Sequence, residues 1–292
     1  MTHTSETLTA KVSPAPEYVH AVLRKAFRDA VVVDQLLPSN PVDCAKRPRK
    51  PAREPGQIWT ARQLRVFLDV AKAHRLFAFY HLAAYTGARR GELLNLRWRD
   101  IDLASAEAHI SGSTAAIGGT RIEGTTKSGR SRTVGIDAGT VQMLREHRAR
   151  QAEERLAAGL RWTDSDQYVF TTGWGSPIHP DTASSLMADL IKAHNTAVQA
   201  VGAGEVLPHA RLHDLRHFHA TTLLLAGVPV HVVAARLGHA DPSVTLRVYA
   251  HVIRDQVAAA ADIFARSIPA SDEAGVSKSV SKRAAAKRAK GR

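Results

Sequence analysis

Cysteine is all but missing from this sequence. Cys44 is the single one among 292 residues, so no internal disulfide can form, which agrees with a reducing compartment. Its plain reading is a linker or surface thiol without a role. Long apolar runs are missing too. None approaches the roughly 20 residues that span a bilayer, and the opening MTHTSETLTAK lacks the apolar core of a signal peptide. The expectation is a cytoplasmic protein with no membrane partner. No internal repeat is visible. Acidic side chains are scarce beside basic ones, 27 Asp plus Glu against 40 Lys plus Arg, for a formal charge of +13. That balance suits a polyanion met in a salt-dependent encounter, although charge alone does not separate DNA from RNA or an anionic membrane surface.

What is present divides along the chain. The first dozen residues have a disordered composition. From about Tyr18 to Leu36, Val19, Val22, Leu23, Phe27, Val31 and Val32 recur at helical spacing, and a lone helix of this length needs something to pack on. Ser39 to Gly56, SNPVDCAKRPRKPAREPG, carries four prolines and five Lys or Arg residues and reads as an extended connector. Thr60 followed by Gln63 is a capping box for a helix with Leu64, Phe67, Leu68 and Ala71 on its apolar face. A second helix, about Leu76 to Tyr85, stops near Gly87. After it Leu93, Leu94, Leu96 and Trp98 read as core.

From Ala106 to Ile136 the helical period gives way to short alternating runs broken by Gly118, Gly119, Gly124 and Gly129. This is the pattern of a small antiparallel sheet with a hairpin tip at Lys127–Arg130. Helices follow at Ala138–Leu156, Pro180–Val201, Leu212–Leu225, Val230–Leu237, Pro242–Ala250 and Asp255–Ile268. The expected fold class is mainly α with a small antiparallel β-sheet (α+β). The expected division is a start with one helix at 1–40, a basic Pro-rich linker at 41–56, the main domain at 57–268, and a basic disordered tail at 269–292.

The densest chemistry lies between His209 and His251. His213 and Arg216, three residues apart, share one side of a helix, and His239 and Tyr249 follow after short turns. Cationic donors beside a phenol suit attack on an anion, and the phosphodiester of nucleic acid is the obvious candidate. Arginine can grip two nonbridging oxygens and stays charged. A neutral imidazole with a pKa of about 6.5 can take or share the phenol's proton, and nearby cations favour a Tyr249 phenolate. Asp214 can tether a neighbouring arginine or cap the helix. His213 and His217 have the spacing of a zinc pair, but Arg216 between them would set a cation beside the ion, so no metal is expected. His219, His231 and His251 read as packing or surface residues.

The run HDLRH, then LGH, then a tyrosine ten residues after that histidine, resembles the catalytic domain of tyrosine site-specific recombinases, the phage-integrase kind. Thr86, Gly87, Arg89, Gly91 and Glu92 match the family's TGxRxGE in full, and TKSGRSRTV is similar to its β-hairpin lysine segment. The resemblance covers about Thr60 to Ile268, making 57–268 the catalytic domain with an integrase-like fold. It implies Tyr249 as nucleophile, Arg89 and Arg216 on the phosphate, and His213 as base or hydrogen-bond partner. His239 would donate to a phosphate oxygen, and Lys127 would protonate the departing 5′ oxygen. His217, Glu92 and Asp214 would support the site from behind, and Arg90, Arg130, Arg132 and Arg211 would be candidates for the DNA backbone.

The implied reaction is DNA cutting and rejoining through a 3′-phosphotyrosyl bond, with neither cofactor nor metal. Its partners would be double-stranded DNA with a specific core site and three further copies of the chain, docked through the helix at Asp255–Ile268. The resemblance also implies a DNA-binding domain before the linker, of which residues 1–40 would carry only the last helix. Two other readings fit the same motifs: a type IB topoisomerase-like enzyme, and a catalytically idle DNA-binding remnant.

Overall fold

Thr60 caps its helix as its spacing predicts. Its hydroxyl accepts from the Gln63 amide at 3.2 Å, and the Gln63 side chain accepts from the Thr60 amide at 2.9 Å. A computed structural model describes residues 16–46, 58–126, 129–163, 167–243 and 245–246. Lys127, Tyr249, the linker from residue 47 on, the helix expected at Asp255–Ile268 and the basic tail lie outside the described residues. The chain divides into two units, residues 1–57 and 58–292.

In the first unit, α1 (Pro16–Val32) is followed by a short 3-10 turn, Pro41–Cys44. Asn40 holds the two together, accepting from the Val42 amide and donating to the Arg24 carbonyl, while Arg24 pairs with Asp43 at 2.7 Å. Tyr18, Val19, Val22 and Leu23 are exposed, and none of the unit's described residues is buried. This is an amphipathic helix with no core of its own among those residues.

The second unit starts with α2 (Ala61–Ala71), α3 (Phe77–Thr86) and the short α4 (Arg90–Asn95). Then come β1 (Ile101–Asp102), β2 (Glu107–Ile110), β3 (Gly112–Ile117), β4 (Thr120–Thr125) and β5 (Arg132–Gly135). Four helices complete it: α5 (Ala138–Ala158), α6 (Pro180–Val201), α7 (Leu212–Leu225) and α8 (Val230–Leu237). The apolar face of α2 meets α3 in a cluster of tilted and edge-on aromatic rings. Trp59, Phe67 and Tyr80 follow one another at 5.3 Å centroid spacings, and Phe79 packs edge-on against Phe170 at 5.2 Å. Tyr80 donates to the Ala183 carbonyl on α6, so its hydroxyl is satisfied where the ring is fully buried. A smaller cluster, Ala220, Leu224, Val233 and Leu237, joins α7 to α8.

The strands form two sheets where the sequence suggests one. β1, β2 and β5 pair antiparallel, while β3 and β4 form a separate hairpin inserted between β2 and β5. The cause is the pair Gly118-Gly119, both at positive φ (58° and 78°), which supplies a two-residue hairpin turn. The hairpin tip expected at Lys127–Arg130 is not one, because the strands on either side, β4 and β5, belong to different sheets and do not pair. The Gly129 amide donates to the Thr126 carbonyl, and the Thr126 hydroxyl to the Arg130 carbonyl, with Gly129 at φ 67°. The inserted hairpin lies against α4, where Gly91 leaves room for it. A Cβ at Gly91 would meet the Thr114 carbonyl oxygen and stand 2.5 Å from Ser113 Oγ. Gly91→Ala should therefore push the hairpin off α4 and cost about 1–3 kcal/mol, read as a lower urea midpoint; an unchanged midpoint would show that the hairpin is not seated there.

Candidate phosphate-binding site

The site forms where the start of α7 and the end of α8 meet the turn between α3 and α4. Gly87 ends α3 in the left-handed region at φ 65°, and a Cβ there would lie 2.8 Å from His219 and from Leu237. Glycine thus lets the turn sit directly on α7 and α8. Its carbonyl accepts from Arg216 Nη1 at 2.7 Å. Arg216 is 4 % exposed, and its Nη2 donates to the Leu237 carbonyl at 2.8 Å and to His239 Nε2 at 2.9 Å. One buried guanidinium therefore stitches three segments of chain together, as the fixed fork of arginine allows.

Glu92 organises the other half. Its carboxylate takes the Arg89 amide at 2.8 Å, Arg89 Nη1 at 2.7 Å, and Arg132 Nη2 and Nη1 at 2.7 and 3.2 Å. Its side chain has no exposed surface, Arg132 keeps 10 % and Arg89 keeps 25 %. Of the two arginines, Arg89 is the one open to a ligand. Burial pushes the Glu92 carboxyl up, but the hydrogen bonds and charges of Arg132 and Arg89 outweigh it and hold the pKa at about 2. Arg132, expected among the DNA-backbone contacts, instead spends its guanidinium inside the protein, since its Nε also donates to the Arg236 carbonyl at 2.9 Å. Gly238, at φ 70°, is what admits it: a Cβ there would stand 2.6 Å from Arg132 Nη1.

Three histidines of α7 and one after α8 complete the picture. His213, at the exposed end of the cluster, packs its ring edge-on to His217 at 4.8 Å. Partial burial, then His217 and Arg216, lower its pKa to about 4. Burial and the cations Arg216, Arg89 and Arg132 bring His239 to about 4 as well. Burial also lowers His217, against the pull of Asp214. His219 is buried, donates from Nδ1 to the Ala84 carbonyl at 3.0 Å, and accepts from Arg236 Nε at 3.0 Å. It latches α8 to α3 from beneath the site. Asp214 caps α7, accepting from the Arg211 amide at 2.7 Å, and ties the exposed Arg211 side chain at 3.3 Å. Arg90 ties α4 to α6 through the Pro180 carbonyl, Asp181 and Ser184. Arg130 is exposed.

The fold thus brings Arg89, Glu92, His213, Arg216, His217 and His239 together, with Arg132 behind them; Lys127 and Tyr249 lie outside the described residues. Sequence reasoning missed Thr245, whose hydroxyl lies 2.6 Å from His239 Nδ1, and the His219–Arg236 latch. Nothing in their spacing singles them out. Three guanidiniums against one carboxylate, with neutral imidazoles, leave a local excess of two positive charges. A local excess of that sign attracts an anion such as a phosphodiester. Among the described residues no group of three His, Cys, Asp or Glu side chains could hold a metal.

Residues 58–255 match the phage integrase family, and the chain belongs to it. A XerC-like tyrosine recombinase of Caldanaerobacter subterraneus subsp. tengcongensis is 32% identical over 249 residues, 80% of this chain and 61% of that protein. An integrase of Streptomyces ambofaciens is 29% identical over 240 residues, 81% of this chain and 59% of its own length. The chain thus spans about three fifths of the length of these relatives. Among solved structures the fold resembles the Tn1549 transposon integrase in complex with circular intermediate DNA, with a TM-score of 0.67 at 21% identity over 84% of this chain and 78% of that one. It also resembles a lambda integrase tetramer bound to a Holliday junction, with a TM-score of 0.54 at 17% identity over 80% of this chain and 58% of that one. The fold is that of a tyrosine-recombinase catalytic domain, mainly α with small antiparallel sheets.

Two consequences can be measured. Glu92→Gln leaves the nearly buried Arg132 and the partly open Arg89 short of their counter-charge and should lower stability at neutral pH by about 3–5 kcal/mol. Because the folded carboxyl is depressed from 4.5 to about 2, its contribution is complete above pH 4.5 and is lost as pH falls toward 2. Denaturation of the variant across that window should be flatter than that of the wild type; equal slopes would discount the ion pairs. Above it, between pH 6.5 and about 4, the unfolded chain takes up protons that His219 refuses in the folded state. Stability should accordingly fall as pH drops through that range, and NMR titration should find His219 still neutral at pH 5.

Proposed function

We propose that this chain is a site-specific DNA recombinase of the integrase type, cutting and rejoining DNA through a 3′-phosphotyrosyl intermediate. The observation that carries the reading is the convergence of Arg216, Arg89 and His239 at one place in the fold, backed by a fully buried carboxylate. Guanidinium groups held in advance suit the charge that grows on phosphorus oxygens as a fifth ligand enters. The names of the relatives add support: several are integrases, and two of the structurally similar proteins are held on DNA.

In this reading Tyr249 forms the new O–P bond while the P–O5′ bond breaks. Its proton passes to His213, and the departing 5′ oxygen takes a proton from Lys127. Arg89 and Arg216 grip the nonbridging oxygens. His213, neutral when free, regains basicity as the phosphate's negative charge comes near. A 5′-hydroxyl from a partner strand then attacks the phosphotyrosine and releases Tyr249. One ester replaces another at each step, so the exchange calls for no nucleotide cofactor and no metal. Arg211 and Arg130, both exposed, are the remaining candidates for phosphate contacts outside the cleft. The assembly proposed is a tetramer on a specific core site, with the helix expected at Asp255–Ile268 docking on the neighbouring copy.

The test is a nicked suicide duplex carrying the DNA that flanks the gene. Wild type should give an SDS-stable protein–DNA adduct with a free 5′-hydroxyl on the released fragment. Tyr249→Phe should give none, and Arg216→Ala or Arg89→Ala should slow its formation about 10²–10³-fold. A wild-type chain that stays folded and DNA-bound yet forms no adduct would make this an idle DNA-binding protein. Relaxation of supercoiled plasmid by the monomer without strand exchange would make it a topoisomerase.

A further inference from the structure

Thr245 is fully buried, and its hydroxyl lies 2.6 Å from Nδ1 of His239. The other ring nitrogen, Nε2, stands 2.9 Å from Arg216 Nη2. A guanidinium has donors only, so Nε2 must present its lone pair to Arg216. The one proton of the neutral ring is then on Nδ1, donated to Thr245 Oγ1. In this state His239 cannot donate to anything at Nε2.

That is the wrong state for holding a phosphate. Both hydrogens of Arg216 Nη2 are engaged, one on the Leu237 carbonyl and one on His239. A phosphate oxygen gripped by Nη2 takes the second of them from His239 and leaves the Nε2 lone pair facing an anion. The repulsion is removed without turning the ring if the proton moves from Nδ1 to Nε2. Such a move requires that the group beyond Nδ1 change from acceptor to donor. A hydroxyl can do both by rotating its hydrogen, whereas a carboxylate or carbonyl can only accept.

We propose that Thr245 is a positioning residue whose hydroxyl sets the proton on His239, holding it on Nδ1 in the free protein and, by reversing, on Nε2 once a phosphate occupies the cleft. This rests on the phosphodiester reading above. His239 is thereby stored as an acceptor that keeps Arg216 in place and is converted to a donor by the substrate itself. Thr245 also lies four residues before Tyr249 in sequence, so the residue that reports phosphate occupancy shares a short segment with the expected nucleophile.

Nitrogen-15 NMR of labelled histidines reads the ring directly, with His239→Gln identifying its signals. The free wild-type protein should show His239 protonated on Nδ1; a proton on Nε2 would overturn the proposal. In Tyr249→Phe bound to the uncleaved duplex the proton should be on Nε2; a ring protonated on both nitrogens, or unchanged, would equally overturn it. Thr245→Val, similar in shape but without the hydroxyl, should lose the Nδ1 signature and slow adduct formation about a hundredfold while still binding DNA. Thr245→Ser should restore both. A valine variant that keeps the wild-type ring state and rate sinks the idea, and if valine prevents folding, the wild-type and serine spectra still decide. Should wild type cleave no DNA, the recombinase reading falls while the free ring state stays measurable. Cleavage with the free proton on Nε2 removes this inference alone.

Discussion

A carboxylate with no exposed surface, Glu92, is the interaction on which the rest of the site depends. Burying it is costly, and so is crowding Arg89 and Arg132 together; each cost is met only because the other charge is there. The two arginines differ in what they do with that partner. Arg132, nearly buried, ties β5 and the end of α8 to α4. Arg89 is pinned by its backbone amide and by one guanidinium nitrogen, and keeps a quarter of its surface open. A flexible surface arginine would lose rotamer freedom on meeting a phosphate; one already held loses less, and that is the physical content of preorganisation.

The frame around this pair is made of helix ends. Gly87 and Gly238 both lie in the left-handed region, and both are places where an added Cβ would strike a neighbour across the site, His219 and Leu237 for one, Arg132 for the other. Glycine does two things here at once: it ends the helix and allows close approach. Arg216 then reads out the two turns by hydrogen-bonding the Gly87 and Leu237 carbonyls, so its head is placed by backbone on two sides and by the His239 ring on a third. Beneath it the apolar cluster of α7 and α8 and the His219–Arg236 latch hold the two helices in register. Burial first, and then the neighbouring cations, keep His213, His219 and His239 uncharged, which limits the positive charge the folded protein must hold together.

Much of this was legible in the sequence. The capping box at Thr60, the helix α6 opening on Pro180, and the limits of α7 and α8 follow from local rules that tertiary context did not override. His213 and Arg216 stood out because their spacing sets them on one side of a helix, whereas Arg89 and His239 were singled out by their likeness to the family's TGxRxGE and LGH motifs. The inserted β3–β4 hairpin was not, since the alternation between Ala106 and Ile136 is consistent with one sheet or two and pairing is a long-range choice. Arg132 was misplaced for a related reason: an arginine in a basic hairpin looks the same in sequence whether it faces a phosphate or a buried glutamate forty residues away.

By itself, then, the sequence determined the limits of α6, α7 and α8, the class of fold, the surplus of positive charge and the kinds of charged and titratable side chain present. These depend on spacing, caps and composition, which are local or additive. Only the tertiary structure decided which cations are open and which are spent, that Glu92 is shared by two of them, and that Thr245 stands behind His239. Those facts depend on which distant segments touch, and contact between segments is set by packing of the whole chain rather than by any stretch of it.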